Sequence, residues 1–257
     1  KNKKNKIVYF GLDRPEKYLS SKEHATDSTY CRNCSNKLDY KGIYFSHLGH
    51  WYCPKCGSKR PKLDNSNWPS PLPGIYNEYN TLAAVSLAQE LGLEDENIKN
   101  SLNGFQPAFG RQEEIVIDEK RIKIFLSKNP AGFNASLRTV IDLKPKTLLL
   151  VLNDRIPDGR DISWIWDVDF EMIPQGVKII VSGDRVYDLA LRIKYTQKSQ
   201  IPNPKSQINP KLQISEDLKE AINRALSNIE KGETLYILPT YSAMLEVRQI
   251  LKGRKIL

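Results

Sequence analysis

The sequence has 257 residues, of which 40% are hydrophobic and 27% charged, so it is too apolar for a disordered chain and long enough for one or two globular domains. Its longest apolar run, residues 147–152, has the length of a strand, and we expect no transmembrane segment because roughly 18 to 20 apolar residues are needed to span a bilayer. The formal net charge of +9 makes nucleic acid, lipid head groups and polyanionic substrates the first partners to consider.

The N-terminal segment starts with Lys1 and lacks the charged start, apolar middle and small-residue cleavage site of a signal peptide. We therefore expect a fragment of a longer protein. Residues 6–11, Lys-Ile-Val-Tyr-Phe-Gly, are predicted to form a short strand. No internal repeat is evident along the chain.

All four cysteines fall within 26 residues, as two Cys-x-x-Cys knuckles separated by eighteen residues. This spacing is typical of a tetrathiolate zinc ribbon, here about residues 28–62, because each short loop presents two thiolates at adjacent corners of a tetrahedron. Disulfides and reactive thiols are the alternatives, but nothing indicates secretion. Four thiolates close the coordination shell, so the predicted zinc is structural. The predicted ligands are Cys31, Cys34, Cys53 and Cys56.

Residues 42–52, between the knuckles, are predicted to form a β-hairpin, and Gly57 suits a left-handed turn after the second knuckle. His47 and His50 are possible replacements for a thiolate, but we expect both on the surface of the hairpin. The ribbon is also rich in aromatic residues, which either stack on nucleic-acid bases or form the ribbon's own core. These residues are Tyr40, Tyr44, Phe45, Trp51 and Tyr52.

A helix is predicted over residues 81–91, buried on most sides and ended by Gly92, and a second over about 95–102. Beyond residue 113 strands and helices alternate, which predicts a parallel sheet covered on both faces. The stretch 196–210 is predicted to be a surface loop. The predicted strands are 121–126, 147–152, 177–182 and 234–238, and the predicted helices are about 134–141, 184–195, 216–230 opened by Ser215, and a last one from Tyr241.

The tract Gly74-x-x-Asn77-x-x-Asn80-x-x-Ala83-Ala84, followed by Phe109-Gly-Arg111-x-Glu113, resembles the junction of the central and C-terminal domains in the Mur ligase superfamily. The ribbon and the tract Ser163-Trp-Ile-Trp-Asp167 narrow the resemblance to the ligase-like subunits of lipid II isoglutaminyl synthase. The resemblance implies an α/β chain: residues 1–107 as the remnant of a central ATP-binding domain carrying the ribbon, and residues 108–257 as a Rossmann-like C-terminal domain.

By this resemblance, ATP with Mg²⁺ activates the α-carboxyl of D-glutamate in the lipid II stem peptide, and ammonia from a class-I glutaminase partner (GatD-like) in a heterodimer yields D-isoglutamine. The implied location is the cytoplasm, at the inner face of the membrane, and no nucleic-acid partner is expected. No Gly-x-x-x-x-Gly-Lys-[Ser/Thr] phosphate loop occurs in the sequence. We expect that loop on a part of the protein outside these 257 residues, which alone should not catalyse ligation.

Three nucleotide contacts also follow from the resemblance. Asn77 and Asn80 correspond to asparagines that contact adenine, although Asn80 has a simpler alternative as the cap of the predicted helix. Arg111 corresponds to the arginine that reaches the phosphates or ribose, with a surface charge as its alternative.

Four acids, Asp158, Asp161, Asp167 and Asp169, follow a strand's C-terminal end, where open α/β sheets place functional groups. By resemblance, one of them supplies the acid that orients the partner glutaminase's histidine, and Asp167 is our choice. Asp161 is alternatively a cap for the following turn. All four are alternatively solvated loop carboxylates.

Two other functions remain open from the sequence. The charge and the aromatic ribbon suit a zinc-ribbon nucleic-acid-binding protein, whose binding would weaken with salt. The same domains also suit a Mur-like ligase for another amino-acid substrate, which would have no glutaminase partner.

Overall fold

A computed structural model describes residues 6–24, 26, 28–107, 109–198 and 212–253. The chain divides into two compact units, residues 1–106 and residues 107–257. Most of the predicted loop 196–210 lies outside the described residues, and its first three residues continue a helix.

The first unit contains a two-stranded antiparallel sheet and two helices. The prediction of a strand over residues 6–11 is wrong: within the described residues only Phe10 makes a bridge, to Asn65, and Gly11 donates its backbone N–H to Asn65 at 3.0 Å. Residues 6–11 have the apolar pattern of a strand, but among the described residues no neighbouring strand extends the single bridge into a ladder. The elements are β1 (Asp39–Phe45), β2 (Leu48–Tyr52), α1 (Ile75–Glu90) and α2 (Asp95–Asn103).

Helix α1 begins six residues before the predicted start, directly after Gly74, whose φ of 100° favours glycine. The helix is also less buried than predicted, because its outer face exposes Leu87 at 63%. Its alanines supply helix propensity rather than an all-round apolar surface.

The second unit is built on a six-stranded sheet with the order β3-β4-β8-β5-β6-β7. The strands from β4 to β7 are parallel, as predicted, but β3 is antiparallel to β4, so the sheet is mixed. Strand β3 was missed because its first half is charged; Asp118 and Glu119, both at positive φ, form the tight turn that joins it to β4. The strands are β3 (Arg111–Ile117), β4 (Lys120–Phe125), β5 (Thr147–Val151), β6 (Lys178–Ser182), β7 (Leu212–Ile214) and β8 (Thr234–Pro239).

Helices cover both faces of this sheet, as predicted for an α/β unit. One apolar core packs α3 and α4 against the sheet, and a second packs α5 and α6 against the opposite face. The cap of α5 differs from the prediction: Asp217, not Ser215, accepts the backbone N–H of Glu220 at 2.7 Å. The helices are α3 (Pro130–Asp142), α4 (Val186–Lys198), α5 (Leu218–Ser227) and α6 (Tyr241–Lys252), with 3-10 turns at Ser163–Asp167 and Phe170–Met172.

Candidate metal centre and ligase site

The four cysteine sulfurs lie within 4.8 Å of one another. Cys31 Sγ is 3.6 Å from Cys56 Sγ, and Cys34 Sγ is 3.5 Å from Cys53 Sγ. These separations exceed a disulfide bond of about 2 Å and approach the ~3.8 Å edge of a tetrahedron with metal–sulfur bonds of about 2.3 Å. The cluster therefore has the composition and the size to bind one zinc ion.

The ionisation of the thiols also fits a cation at this place. A backbone N–H of Cys56 is the main cause that lowers the pKa of Cys53, and that of Asn33 lowers the pKa of Cys31. For Cys56 the N–H of Ser58 lowers the pKa, but the neighbouring thiols outweigh it and raise the pKa to about 12. Successive thiolates repel one another here, and a divalent ion removes that repulsion.

Both knuckles follow one eight-residue pattern, Tyr-Cys-x-x-Cys-x-x-Lys, at residues 30–37 and 52–59. The backbone repeats with the sequence: Ser35 and Gly57 have φ of 56° and 74°, and each donates its N–H to the first cysteine of its knuckle. The first tyrosine also bridges the last lysine in each case. The expectation that the chain has no internal repeat is therefore wrong.

Neither ribbon histidine belongs to the sulfur cluster. His50 is half-buried rather than exposed, since its ring packs edge-on against Tyr18 and Tyr44 and its Nε2 lies 2.7 Å from Asp13 Oδ1. His47 is also only half-exposed. The expected surface position therefore fails for His50, because the hairpin packs there against residues that precede it, whereas His47 keeps partial exposure.

Two of the five ribbon aromatics are unavailable for stacking on bases because they pack in the core of the first unit. Tyr44 is fully buried, and Phe45 packs against the same small core. Tyr40 and Trp51 line a cavity of 620 Å³ in the first unit. Neither Asn77 nor Asn80 lines this cavity, although Tyr79 between them does.

Asn77 and Asn80 both lie within the first two turns of α1. Asn77 is buried and donates its side-chain N–H to the Pro73 carbonyl at 2.7 Å, whereas Asn80 is exposed. The alternative that Asn80 caps the helix is wrong, because Gly74 occupies the cap position. Asn80 thus presents a free amide edge, and Asn77 partly serves the local turn.

Arg111 is the exposed first residue of β3, and an unpredicted network holds the backbone beside it. Gln112 has φ of 62° and forms a bulge opposite β4. Buried Glu113 accepts the backbone N–H of Gly110 at 3.0 Å and binds Arg248 of α6. A bulge re-aims the side chains next to it, so this network sets the direction of Arg111.

The acidic tract is the segment 158–169 that contains the four candidate acids. Within the described residues, three of these side chains accept hydrogen bonds and one does not. Asp158 is buried and accepts the backbone N–H of Ser242 at 2.8 Å, so it is not the solvated carboxylate of the alternative interpretation. Asp161 accepts the backbone N–H of Ser163 at 2.8 Å, although the cap position of the following 3-10 turn belongs to Ile162 and not to Asp161 as the alternative interpretation had it.

Asp169 accepts the side-chain N–H of buried Asn134 at 3.1 Å. Asp167, at the end of the first 3-10 turn, is exposed, and among the described residues its carboxylate has no hydrogen-bond or ion-pair partner.

The backbone around Asp167 is nonetheless fixed. The guanidinium of Arg192, on α4, donates to the Val168 carbonyl at 2.6 Å and to the Ile165 carbonyl at 3.2 Å. It also lies over the ring of Trp166, 5.6 Å from its centroid. An exposed, unpartnered carboxylate therefore stands on an anchored turn.

None of the described helices is both long and apolar enough to cross a lipid bilayer.

Comparisons with known proteins agree with this architecture. The chain is 32% identical to the MurT subunit of the glutamine-hydrolysing lipid II isoglutaminyl synthase of Streptococcus pneumoniae, over 98% of this chain and 59% of that protein. It is 35% identical to the MurT subunit of Staphylococcus aureus, over 74% of this chain and 48% of that protein. The chain thus spans about half the length of these relatives.

A solved structure of a pseudomurein peptide ligase type C from Methanothermus fervidus has the same fold, with a TM-score of 0.62 and 22% identity over 96% of this chain and 52% of that one. Residues 126–244 match the model of the MurT ligase C-terminal family. The expected relationship is confirmed: the chain carries a MurT ligase C-terminal domain and is related to MurT subunits over most of its length.

Proposed function

We propose that this chain is part of a ligase subunit that uses ATP to amidate the α-carboxyl of D-glutamate in the lipid II stem peptide. The observation that carries the proposal is the similarity of 98% of the chain to a MurT subunit. The reaction belongs to peptidoglycan biosynthesis, and we place it in the cytoplasm at the inner face of the membrane.

The chemistry takes two steps. A carboxylate oxygen attacks the γ-phosphorus of ATP, giving an acyl phosphate and ADP. Ammonia then attacks the acyl carbon, loses a proton, and expels inorganic phosphate to leave the amide. Since water competes with ammonia, the protein must align the reactants and exclude solvent.

Arg111, Asn77 and Asn80 are the proposed nucleotide contacts, with Mg²⁺ accompanying the triphosphate. The always-charged fork of Arg111 suits phosphate oxygens, and the network around Glu113 supports its direction. The exposed amide of Asn80 carries an NH2 donor group and a carbonyl acceptor side by side, which suits a purine edge. These residues bind and orient ATP, while residues 1–107 and 108–257 correspond to the central and C-terminal domains of the ligase.

Residues 31–56 hold the proposed zinc ion through four thiolates. The thiolates leave no coordination position for substrate, so the ion stabilises the fold of the ribbon and takes no part in the reaction. The separations between the sulfurs support this assignment.

We infer that the nitrogen comes from a class-I glutaminase in a heterodimer with this subunit, and that Asp167 orients the glutaminase histidine. A carboxylate with this task must be exposed, within about 3 Å of the imidazole once the subunits meet, and held in place. Asp167 is exposed, and the Arg192 hydrogen bonds to the backbone on either side hold it in place. Asp161 and Asp169 are less suited because backbone or side-chain donors already occupy them.

The ligase half is tested without the glutaminase. Full-length subunit, lipid II, Mg-ATP and ammonium chloride should give amidated lipid II and one ADP for each amide. Amidation that proceeds without ATP, or ADP release that does not need lipid II, would contradict the proposal. A Mur-like ligase for another substrate would release ADP with a different acceptor and nitrogen donor.

A further inference from the structure

The zinc ribbon concentrates the positive charge of the chain. Residues 28–62 contain seven Lys and Arg but one acid, Asp39, whereas the whole chain has 39 against 30. Four thiolates with one divalent ion remove only part of that excess. The two repeated knuckles contain no acid at all, and their basic side chains at Arg32, Lys37, Lys55 and Lys59 are exposed.

Strand pairing places several of these side chains on one face. Tyr30 lies directly opposite Lys37, and Tyr52 lies opposite both Asp39 and Lys59. Directly opposed residues project to the same side, as do residues two apart on an extended strand, which joins Lys37 to Asp39. We call this set, together with the exposed Lys41 of the same strand, the ribbon face.

The ribbon face is open and its cations are unpaired. Tyr30 is 63% exposed and Tyr52 is 40% exposed. Within the described part of the chain, Lys37, Lys41 and Lys59 take part in no ion pair. Three lysines against one carboxylate make the face a cationic surface flanked by two phenol rings.

From this charge complementarity we propose that the ribbon face binds the anionic phospholipid surface of a membrane. Lysines near such a surface gain electrostatic attraction to phosphate head groups, and tyrosines suit the interface because the ring is apolar and the hydroxyl is polar. A nucleic acid is less suited, since single strands use several open ring faces and only Tyr30 and Tyr52 offer them on this face. Membrane binding would bring the subunit to the lipid-linked substrate of the proposed function. The binding itself does not depend on the amidation reaction.

The test is co-sedimentation of the zinc-loaded full-length protein with vesicles of phosphatidylcholine, alone or in an equimolar mixture with phosphatidylglycerol. Binding should require phosphatidylglycerol and weaken with salt. Lys37→Glu with Lys59→Glu should lower the partition coefficient at least about tenfold. The control, Lys194→Glu with Lys219→Glu, makes the same change of net charge at exposed positions of the second unit and should stay within about twofold.

A second variant, Tyr30→Thr with Tyr52→Thr, keeps the charge and should weaken vesicle binding by a smaller factor. Zinc content reports whether each variant folds; if the glutamate variant loses zinc, Lys37→Gln with Lys59→Gln replaces it. Equal losses in ribbon and control variants, or no preference for phosphatidylglycerol, would overturn the proposal. So would tighter binding of single-stranded DNA through the same lysines. Amidation of detergent-dispersed lipid II should be unchanged in the ribbon variants, which separates this proposal from the proposed function.

Discussion

Glu113 and Arg248 form a two-bonded ion pair across 135 residues of sequence, with Nε–Oε2 at 2.6 Å and Nη2–Oε1 at 3.0 Å. Both side chains are only 11% exposed, and Lys252 adds a second cation. The pair ties the start of β3 to α6, and the same guanidinium lies 3.8 Å from the ring centroid of Phe109. The backbone on both sides of Arg111 is therefore fixed from α6.

Glu113→Gln should destabilise the second unit by about 3 kcal/mol, because removal of one partner leaves the other charge buried and unpaired. Chemical denaturation measures the change. Glu114→Gln is the matched control, because Glu114 is the neighbouring residue, is exposed, and among the described residues pairs only with Lys123, at 3.3 Å. This variant should change stability by less than about 0.5 kcal/mol. Similar losses in both variants would contradict the role given to the pair.

The same pair predicts a pH dependence. Burial raises the pKa of Glu113, but hydrogen bonds from Arg248 and Lys252 outweigh it and lower the pKa to about 2, against an ordinary value of 4.5. Because the pKa of Glu113 is lower in the folded state than in the unfolded state, its ionisation stabilises the folded protein above pH 4.5. This contribution to the free energy of unfolding is lost as the pH falls from 4.5 towards 2. The wild type should lose more stability than Glu113→Gln across this window; parallel curves would contradict the assignment.

Zinc should be present at about one equivalent per chain, because four thiolates match one tetrahedral site. Elemental analysis of the purified protein measures it, and Cys31→Ser with Cys56→Ser should abolish it. Less than about half an equivalent in the wild type, or zinc retained in the double variant, would refute the site. Chelation should unfold the ribbon without removing a reacting group.

Arg111→Ala in the full-length protein should raise the Michaelis constant for ATP and leave assembly with the glutaminase intact, because the residue is proposed to touch only the nucleotide. The loss of a charged hydrogen bond predicts roughly a tenfold effect or more. Lys219→Ala, at an exposed position of α5, is the control. An unchanged Michaelis constant would remove Arg111 from the nucleotide site.

Asp167→Asn should abolish glutamine hydrolysis by the partner while assembly and the use of added ammonia persist. Asparagine has nearly the same shape but no charge, so it fails to stabilise the imidazolium formed when histidine takes the cysteine's proton. Asp161→Asn and Asp169→Asn control for disturbance of the tract. If glutamine hydrolysis is lost in only one of those two variants, that aspartate and not Asp167 orients the glutaminase histidine. Full activity in all three variants would contradict the proposal that this chain supplies a carboxylate to its partner.

Local patterns predicted the parts of the molecule that local chemistry determines. Cys-x-x-Cys spacing sufficed for the sulfur cluster, and alternating apolar segments sufficed for β4 to β6. Partners distant in sequence were beyond such patterns: nothing near Glu113 indicates Arg248, although Arg248 and Lys252 lie four residues apart on one side of a helix.

Two other features were missed for different reasons. The start of α1 was placed too late because Asn80 resembled a cap, while the Gly74 turn that begins the helix has no side-chain signal. The two Cys-x-x-Cys knuckles were predicted, but their extension to an eight-residue repeat was missed because only Tyr, Cys, Cys and Lys are identical in it. The backbone hydrogen bonds that both copies share make the longer repeat evident.

The most direct test of the proposed function follows the nitrogen atom. The full-length subunit with its glutaminase, lipid II, Mg-ATP and glutamine labelled with ¹⁵N in the side-chain amide should produce D-isoglutamine that carries the label at its α-amide, as read by mass spectrometry of the stem peptide. Omission of ATP should abolish the product. Lipid II that stays unamidated in the complete mixture, or label found at any carboxyl other than the α-carboxyl of D-glutamate, would contradict the account.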